Sequence, residues 1–335
     1  MGADVRRMKD APDVTVVIPT RNRCEVVSQK ALRSALAQEA VEHEVVVVDD
    51  ASTDETAARL ATVADPRLRV LRLNERAGVA RARNAGIAAA RGAWVAFLDD
   101  DDVWSPRKLR TQLDAARDGE ADFVYSGVVS IDGGSVPRYV FPLPRPTELP
   151  LRILRSSVLP AGGSNVLART ELVRALGGFD EQLFQLADWD LWIRLSWNGR
   201  PAATEEVLVG YVEHDENMLL TDPRDVTPEL AYLEEKHRDL RARHGVELDR
   251  ATFFHWVAWG HLRRKHRGRA ARMYLRSGIA SRRARDVLLA AAFAARAVVP
   301  LGSLRLRIQA LARRSNGRGR AVAPAPEPAW LELYR

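Results

Sequence analysis

Four consecutive aspartates, Asp99 to Asp102, close the apolar run Trp94-Val95-Ala96-Phe97-Leu98. Adjacent carboxylates repel one another. They are either dispersed in water as a solvated acidic loop or neutralised by a cation, and a divalent ion bridging them to a phosphate does the second. The apolar run reads as a short buried strand, which places the cluster at the strand's carboxyl end, where open α/β sheets bind ligands. Two more acidic groups end or open expected elements: Asp49-Asp50, and Asp188 with Asp190. Parallel strands bring their carboxyl ends to one edge, so the first two groups are expected to meet there. No Gly-x-Gly-x-x-Gly and no Gly-Lys-Ser/Thr loop follows the first strand. That points away from a dinucleotide cofactor or a P-loop nucleotide. A metal-bridged diphosphate needs no such loop, because the cation neutralises the phosphates.

The elements that must position these acids alternate between strand and helix. Strands are expected at 14–18 (closed by Pro19), 44–48, 68–73 and 93–98, and helices at 25–38, from Ser52 to about 64, and at 79–91. Ser52 and Glu55 have capping-box spacing. Gly92 reads as a helix stop. Ser105-Pro106 reads as an N-cap and first helical position. Such alternation implies a mostly parallel sheet with right-handed crossovers. Further on, 123–131 reads as a strand. The proline-rich stretch from Pro137 to Pro150 reads as a loop or lid, and 161–165 as a flexible turn before a strand at 166–168. A helix capped by Thr170, a helix over 189–197 and a strand over 207–212 complete this part.

The chain has 335 residues, 46% of them hydrophobic, enough for one large α/β domain with an appendage, or for two domains. A single cysteine, Cys24, rules out an internal disulfide framework. No apolar leader and no run of about 18 apolar residues occurs. The expectation is a cytoplasmic protein, or one peripheral at the inner face of the plasma membrane. Residues 260–320 hold 17 Lys/Arg against one acid, Asp286, a net of +16 in a chain of +7, which leaves the rest at −9. A basic segment interleaved with Leu, Ile, Val, Met and Phe over 260–314 suits an anionic membrane surface. A helical subdomain packed on the body explains it as well, and nucleic acid is the least favoured partner.

The ordered set Val16-Val17-Ile18-Pro19-Thr20-Arg21-Asn22-Arg23, Val47-Val48-Asp49-Asp50-Ala51-Ser52-Thr53-Asp54, Ala82-Arg83-Asn84-Ala85-Gly86, Phe97-Leu98-Asp99-Asp100-Asp101-Asp102-Val103-Trp104, Gly177-Gly178-Phe179-Asp180-Glu181 and Asp188-Trp189-Asp190-Leu191-Trp192 resembles the family-2 glycosyltransferases of the A-type fold. The resemblance covers about residues 13–215. It implies a Rossmann-like α/β domain for a nucleoside-diphosphate sugar, with a mostly parallel central sheet. The division expected is a catalytic domain at 13–222 (13–120 for the nucleotide sugar, 121–222 for the acceptor), a basic helical extension at 223–314, and a disordered tail at 315–335.

By that resemblance Pro19, Thr20 and Arg21 hold base and ribose, and Asp50 accepts the base N3–H, as a carboxylate can. Arg83 lies near the diphosphate. Asp99 and Asp101 align with the family's Asp-x-Asp: Asp101 ligates Mn²⁺ or Mg²⁺, Asp99 contacts ribose or a metal-bound water, and Asp100 stands with the nucleotide-side residues. The ion acts as a Lewis acid on the departing diphosphate. Asp188 aligns with the catalytic base of inverting members, and His214 with a histidine near the metal. Gly162 and Gly163 match an acceptor-side turn, with Trp189 and Asp190 beside them. A helix N-cap is the competing role for Asp188, and core packing for Trp189. The chain departs from the pattern at Ala187, where the family commonly has Glu. The implied activity is inverting transfer from a nucleoside-diphosphate sugar, UDP favoured, to a hydroxyl on a sugar, lipid-linked or small acceptor. The alternative is a non-catalytic sugar-binding module on the same fold.

Overall fold

The structure is a computed structural model that describes residues 11–213, 225–263, 265–281, 286–291, 293 and 328–334. These group into two compact units, one within Met1–Ile153, Ser157–Glu213 and Pro326–Arg335, the other within Leu154–Ser156 and His214–Ala325.

The first unit is built on nine strands: β1 (Val14–Thr20), β2 (His43–Asp49), β3 (Leu68–Arg72), β4 (Trp94–Phe97), β5 (Val103–Trp104), β6 (Phe123–Ile131), β7 (Pro137–Val140), β8 (Leu167–Arg169) and β9 (Pro201–Val212). They form one sheet in the order β3-β2-β1-β4-β8-β6-β9-β5, with β7 paired to β6. The β3-β2-β1-β4 half is parallel. Beyond it the sheet is mixed: β8 runs antiparallel to β4 and β6, whereas β9 is parallel to β6 and antiparallel to β5. All seven residues of β1 and of β2 are buried, as valine-rich strands covered on both faces must be. Pro19 lies inside β1 but beyond Val17, where pairing to β4 stops. No ladder partner on that side therefore needs the N–H that proline lacks.

Two glycines bring backbone close to β1. A Cβ on Gly86, in the helix Val79–Ala89, would stand 2.3 Å from Val17 Cγ1. A Cβ on Gly92 would stand 2.5 Å from the Thr15 backbone nitrogen. Gly92 is thus required by the approach to β1. The helix has already ended at Ala89, with Ala90 extended.

Several local expectations are corrected. Ser52 caps no helix: its hydroxyl accepts the Asn22 amide (2.9 Å), and Asp54 accepts the Thr56 amide (3.0 Å) where the helix Thr56–Ala61 begins. Thr170 likewise donates to Gly92 O (2.7 Å) rather than capping. The helix after β1 is interrupted by a π turn at Val27–Ala31. The proline-rich stretch contains β7 and the start of the helix Leu149–Arg155. The tail is ordered at its end, where Ala329–Tyr334 forms a 3-10 helix. Leu331 and Tyr334 pack with Val103, Val129, Ile131 and Val212. Trp330 Nε1 donates to Val207 O (2.9 Å), and Ser135 Oγ donates to Tyr334 O (2.9 Å). The Gly, Arg, Pro and Ala that precede it hid an apolar segment, Ala329-Trp330-Leu331-Glu332-Leu333-Tyr334. Residues 315–327 lie outside the described residues.

The second unit is helical: Thr227–Lys236, Arg238–His244, Arg250–Arg263 and Arg267–Ser281. Buried Arg241 donates to Leu154 O (2.9 Å) and Glu234 O (3.1 Å). Ser277 Oγ donates to Asp286 Oδ2 (2.8 Å). No described helix is long and apolar enough to cross a membrane.

Candidate active site

The carboxyl ends of β1, β2 and β4 carry the acids and bases singled out in the sequence. After β1, Thr20 is buried and its hydroxyl donates to Asp100 Oδ2 (2.7 Å). Asn22, at φ +53°, accepts the Thr53 amide (2.8 Å) and so ties the loop after β1 to the loop after β2. Pro19 and Arg21 flank Thr20, and Arg21 is partly buried. After β2, the Asp50 carboxylate accepts the amides of Ala77 (2.6 Å) and Gly78 (2.9 Å). Gly78 has φ +90° and ψ 163°, a conformation open essentially to glycine alone. Asp50 therefore fixes the start of the helix that carries Arg83.

The four aspartates after β4 split into an outward and an inward pair. Asp99 and Asp101 keep 31% and 20% of their side chains exposed. Asp99 is ion-paired with Arg83, and Asp101 lies 3.4 Å from Arg23 Nη1. Asp100 turns towards Thr20. Burial and then the Asp101 charge push its carboxyl up to about 7, against the pull of Arg23 and Thr20. Asp102 is fully buried. Its Oδ2 accepts from Ser164 Oγ (2.6 Å) and its Oδ1 from the Val212 amide (2.9 Å). Burial first, then Asp101 and Asp99, push its carboxyl well above the usual range.

Arg83 is buried and held on two sides. Its guanidinium lies 5.0 Å from the centre of the Phe179 ring and pairs with Asp99. Asn84, the next residue, clamps Phe179 in both directions: Oδ1 accepts the Phe179 amide (2.8 Å) and Nδ2 donates to Phe179 O (2.9 Å). Phe179 in turn packs edge-on against Phe97 at 4.9 Å, with Trp192 6.1 Å away. The Ala-Arg-Asn and Gly-Gly-Phe motifs are thus two halves of one clamp.

The turn 161–165 closes the site. Ala161 and Gly162 both adopt left-handed backbone, φ +59° and +43°. A Cβ on Gly162 would meet Asp188 Oδ2 at 2.8 Å, and one on Gly163 would meet Arg83 Nη2 at 2.9 Å and Asp99 Oδ1 at 3.3 Å. Asp188, Arg83, Asp99 and the two glycines therefore share one locus. Far from being a free turn, this stretch is buried at Gly163, Ser164 and Asn165. Asp188 is the second residue of the helix Ala187–Asn198. Its Oδ1 accepts the Trp189 amide (2.7 Å), leaving Oδ2 towards Gly162. Burial pushes the Asp188 carboxyl above the ordinary aspartate range, and the Arg83 charge draws it partly back.

Two acceptor-side expectations are corrected. Asp190 is fully buried and paired with Arg194 (Nη2 to Oδ2, 2.6 Å), because two helical residues turn a side chain well away from its neighbour's face. Trp189 is buried, its indole donating to Ile153 O (2.7 Å), so no open ring faces an acceptor. His214 lies outside the described residues. Arg23 and Ser164 were not foreseen as site residues. Arg23 stands inside the first motif, and Ser164 is a small polar residue beside two glycines, a pattern that suits a tight buried turn.

The outward aspartates offer hard oxygen donors at the end of β4. Mg²⁺ takes one or two protein carboxylates and completes its shell with phosphate and water, so the donor set fits such an ion. Among the described residues no group of three or more His, Cys, Asp or Glu side chains gathers as a protein cage.

The "Glycosyl transferase family 2" model matches residues 15–177, the stretch that holds β1 to β8 and the acids at their ends. Residues 15–177 thus form a family-2 glycosyltransferase domain. Over 163 residues it is 44% identical to the succinoglycan biosynthesis protein ExoO of Rhizobium meliloti, covering 48% of this chain and 44% of that one. It is 32% identical over 123 residues to the Escherichia coli UDP-Glc:alpha-D-GlcNAc-diphosphoundecaprenol beta-1,3-glucosyltransferase WfgD, covering 37% and 48%. The matches thus span about half the length of these relatives. In fold it resembles S. aureus TarS, solved in complex with UDP (TM-score 0.51, 20% identity, 80% of this chain and 87% of that one) and with UDP-GlcNAc (TM-score 0.52, 20% identity, the same coverage).

Proposed function

We propose that the chain moves a sugar from a nucleoside-diphosphate sugar, a UDP-sugar by preference, to an acceptor hydroxyl with inversion, in polysaccharide or cell-envelope synthesis. The observation that carries the reading is the single locus formed by Asp188, Arg83, Asp99 and the Gly162-Gly163 turn. The TarS complexes with UDP and UDP-GlcNAc support the donor class, and the names of ExoO and WfgD support the setting. Asp50 and the loop Pro19-Thr20-Arg21 receive base and ribose, and Arg83 faces the diphosphate. Asp188 accepts the acceptor's proton as the hydroxyl oxygen forms its bond to the anomeric carbon. The bond from that carbon to the diphosphate breaks, and its electron pair leaves with the nucleoside diphosphate. An α-linked donor thus yields a β-linked product. Asp101 with Asp99 would hold Mn²⁺ or Mg²⁺, which when bound stabilises charge on the leaving diphosphate.

Ligand binding raises the melting temperature by mass action. UDP with Mn²⁺ is expected to raise it by several degrees, and Asp101→Ala to abolish the Mn²⁺-dependent part. A shift that is equal with and without Mn²⁺ in both proteins would remove the metal assignment.

The membrane partner rests on the helix Arg267–Ser281. Leu275 and Ile279 share one face four residues apart, 44% and 68% exposed, and Arg269 and Arg272 are exposed beside them. Apolar side chains flanked by arginines suit an anionic lipid surface. Leu275→Asp with Ile279→Asp is expected to cut co-sedimentation with phosphatidylglycerol vesicles several-fold. Undiminished binding would exclude this face.

A further inference from the structure

We infer that Ser164 and Asp102 are a positioning pair that locks the acidic loop, the acceptor-side turn and the end of β9 into one register. The inference builds on the reading above and extends it to two residues that touch neither substrate in that scheme. Both side chains are fully buried. The links form one continuous path. The Asp99 amide donates to Ser164 Oγ (3.0 Å), Ser164 Oγ donates to Asp102 Oδ2 (2.6 Å), and the Val212 amide donates to Asp102 Oδ1 (2.9 Å). The Asp102 amide donates back to Asp99 O (3.1 Å), closing the acidic loop on itself. On its other side, Ser164 O accepts Trp104 Nε1 (2.8 Å), and the Ser164 amide donates to Ala161 O (2.8 Å).

The geometry explains why a hydroxyl and a carboxylate are needed. Ser164 Oγ must accept one hydrogen bond and donate another, which a hydroxyl does and a methyl cannot. Asp102 must accept at both oxygens, which a carboxylate does and a carboxamide cannot. The same turn sets Gly162 against Asp188 and Gly163 against Arg83 and Asp99. A displacement of Ser164 therefore moves the base relative to the diphosphate side. Misplacement of reacting groups by about 1 Å costs on the order of 10²-fold in rate. Full burial distinguishes Asp102 from Asp99 and Asp101, whose side chains stay 31% and 20% exposed within the same run.

The test uses the full chain with Ser164→Ala, Ser164→Thr and Asp102→Asn, read in three ways. Amide exchange reports the coupling directly. Ser164→Ala is expected to speed exchange both in the acidic loop around Asp99–Asp102 and at Val212, although Val212 is 48 residues from the substitution. Exchange that quickens only within 161–166 would overturn the coupling. Kinetics report the consequence. Ser164→Ala and Asp102→Asn are expected to lower kcat by about 10- to 100-fold, with the KM for the UDP-sugar within about threefold. Ser164→Thr is expected to restore most of kcat. A kcat within twofold of the parent at a temperature where Ser164→Ala is folded would overturn the positioning role, as would failure of threonine to rescue. UDP binding by thermal shift separates this from the function itself. A parent chain that binds no UDP and transfers no sugar contradicts the glycosyltransferase reading, whereas the exchange result still decides the coupling.

Discussion

Asp188→Asn is expected to lower kcat/KM for sugar transfer by about 10²- to 10⁴-fold, the usual contribution of a positioned general base, while the melting temperature and UDP binding stay near those of the parent. The two carboxylate oxygens have separate duties. Oδ1 accepts the Trp189 amide (2.7 Å), and the asparagine carbonyl oxygen can keep that bond. Oδ2 faces the Gly162 turn and in the proposed reaction is the oxygen that takes the proton. An amide nitrogen there cannot accept it, so the fold survives and the chemistry stops. The pH dependence follows from the same surroundings. The base works deprotonated, so activity rises with pH through its pKa. Burial places that pKa above the ordinary aspartate range. The acid limb of kcat/KM for the parent should accordingly lie at higher pH than an exposed aspartate would give, and it should disappear from the residual rate of Asp188→Asn. An unaltered rate would remove Asp188 as the base. A collapse of the melting temperature with the rate would assign it to structure instead.

Asp190→Ala is expected to do the opposite, destabilising the protein by about 3–5 kcal/mol and lowering the melting temperature by roughly 10 °C, with kcat retained below the transition. Asp190 is fully buried and accepts from Arg194 Nε (2.8 Å) and Nη2 (2.6 Å). Removing it leaves a guanidinium 16% exposed without its counter-charge. Arg194 also donates to Leu176 O and Gly178 O, both at 2.7 Å, just before Phe179. Differential scanning calorimetry beside single-temperature kinetics separates the two acids. An Asp190→Ala protein that melts like the parent and transfers no sugar would reverse their roles.

The difference between these neighbours marks what the sequence could and could not convey. Period and composition located β1, β2, β4 and β6 to within a residue or two, because strands buried on both faces are written as short, mostly apolar runs, valine-rich in β1 and β2. The ordered motifs then identified the family. Which acid of a pair faces the site is a matter of helical phase and partner. Arg194, the residue that claims Asp190, lies a helical turn away as a lone charge in the apolar stretch Leu191-Trp192-Ile193-Arg194-Leu195, and nothing local says which acid it pairs with. Ser52 and Thr170 had the right types for caps, yet each finds a partner far along the chain, Asn22 and Gly92, that local rules do not contain. Gly92 was read as a helix stop for the same reason, since the strand that crowds it is 77 residues away in sequence. Within Asp99 to Asp102 the repeat of one residue type concealed a division of labour. The tertiary partners Arg83, Thr20, Arg23 and Ser164 make that division visible.

The 3-10 helix Ala329–Tyr334 has a consequence for the polymer as a whole. The chain leaves the catalytic sheet after Val212 and touches it again near Leu331, so docking the end closes a loop of more than a hundred residues. For a flexible loop of that size the closure entropy is about 4 kcal/mol. Burying Leu331 and Tyr334 returns about 1.5–3 kcal/mol each, a sum of the same order. The end is therefore a latch near balance. Cutting the chain between the two anchor points turns an intramolecular contact into a dilute bimolecular one. Tyr139, Arg138 and Glu213 line the sheet rim close to where the chain departs, so the rim and the chain's far end are joined in one topological ring although they are distant in sequence.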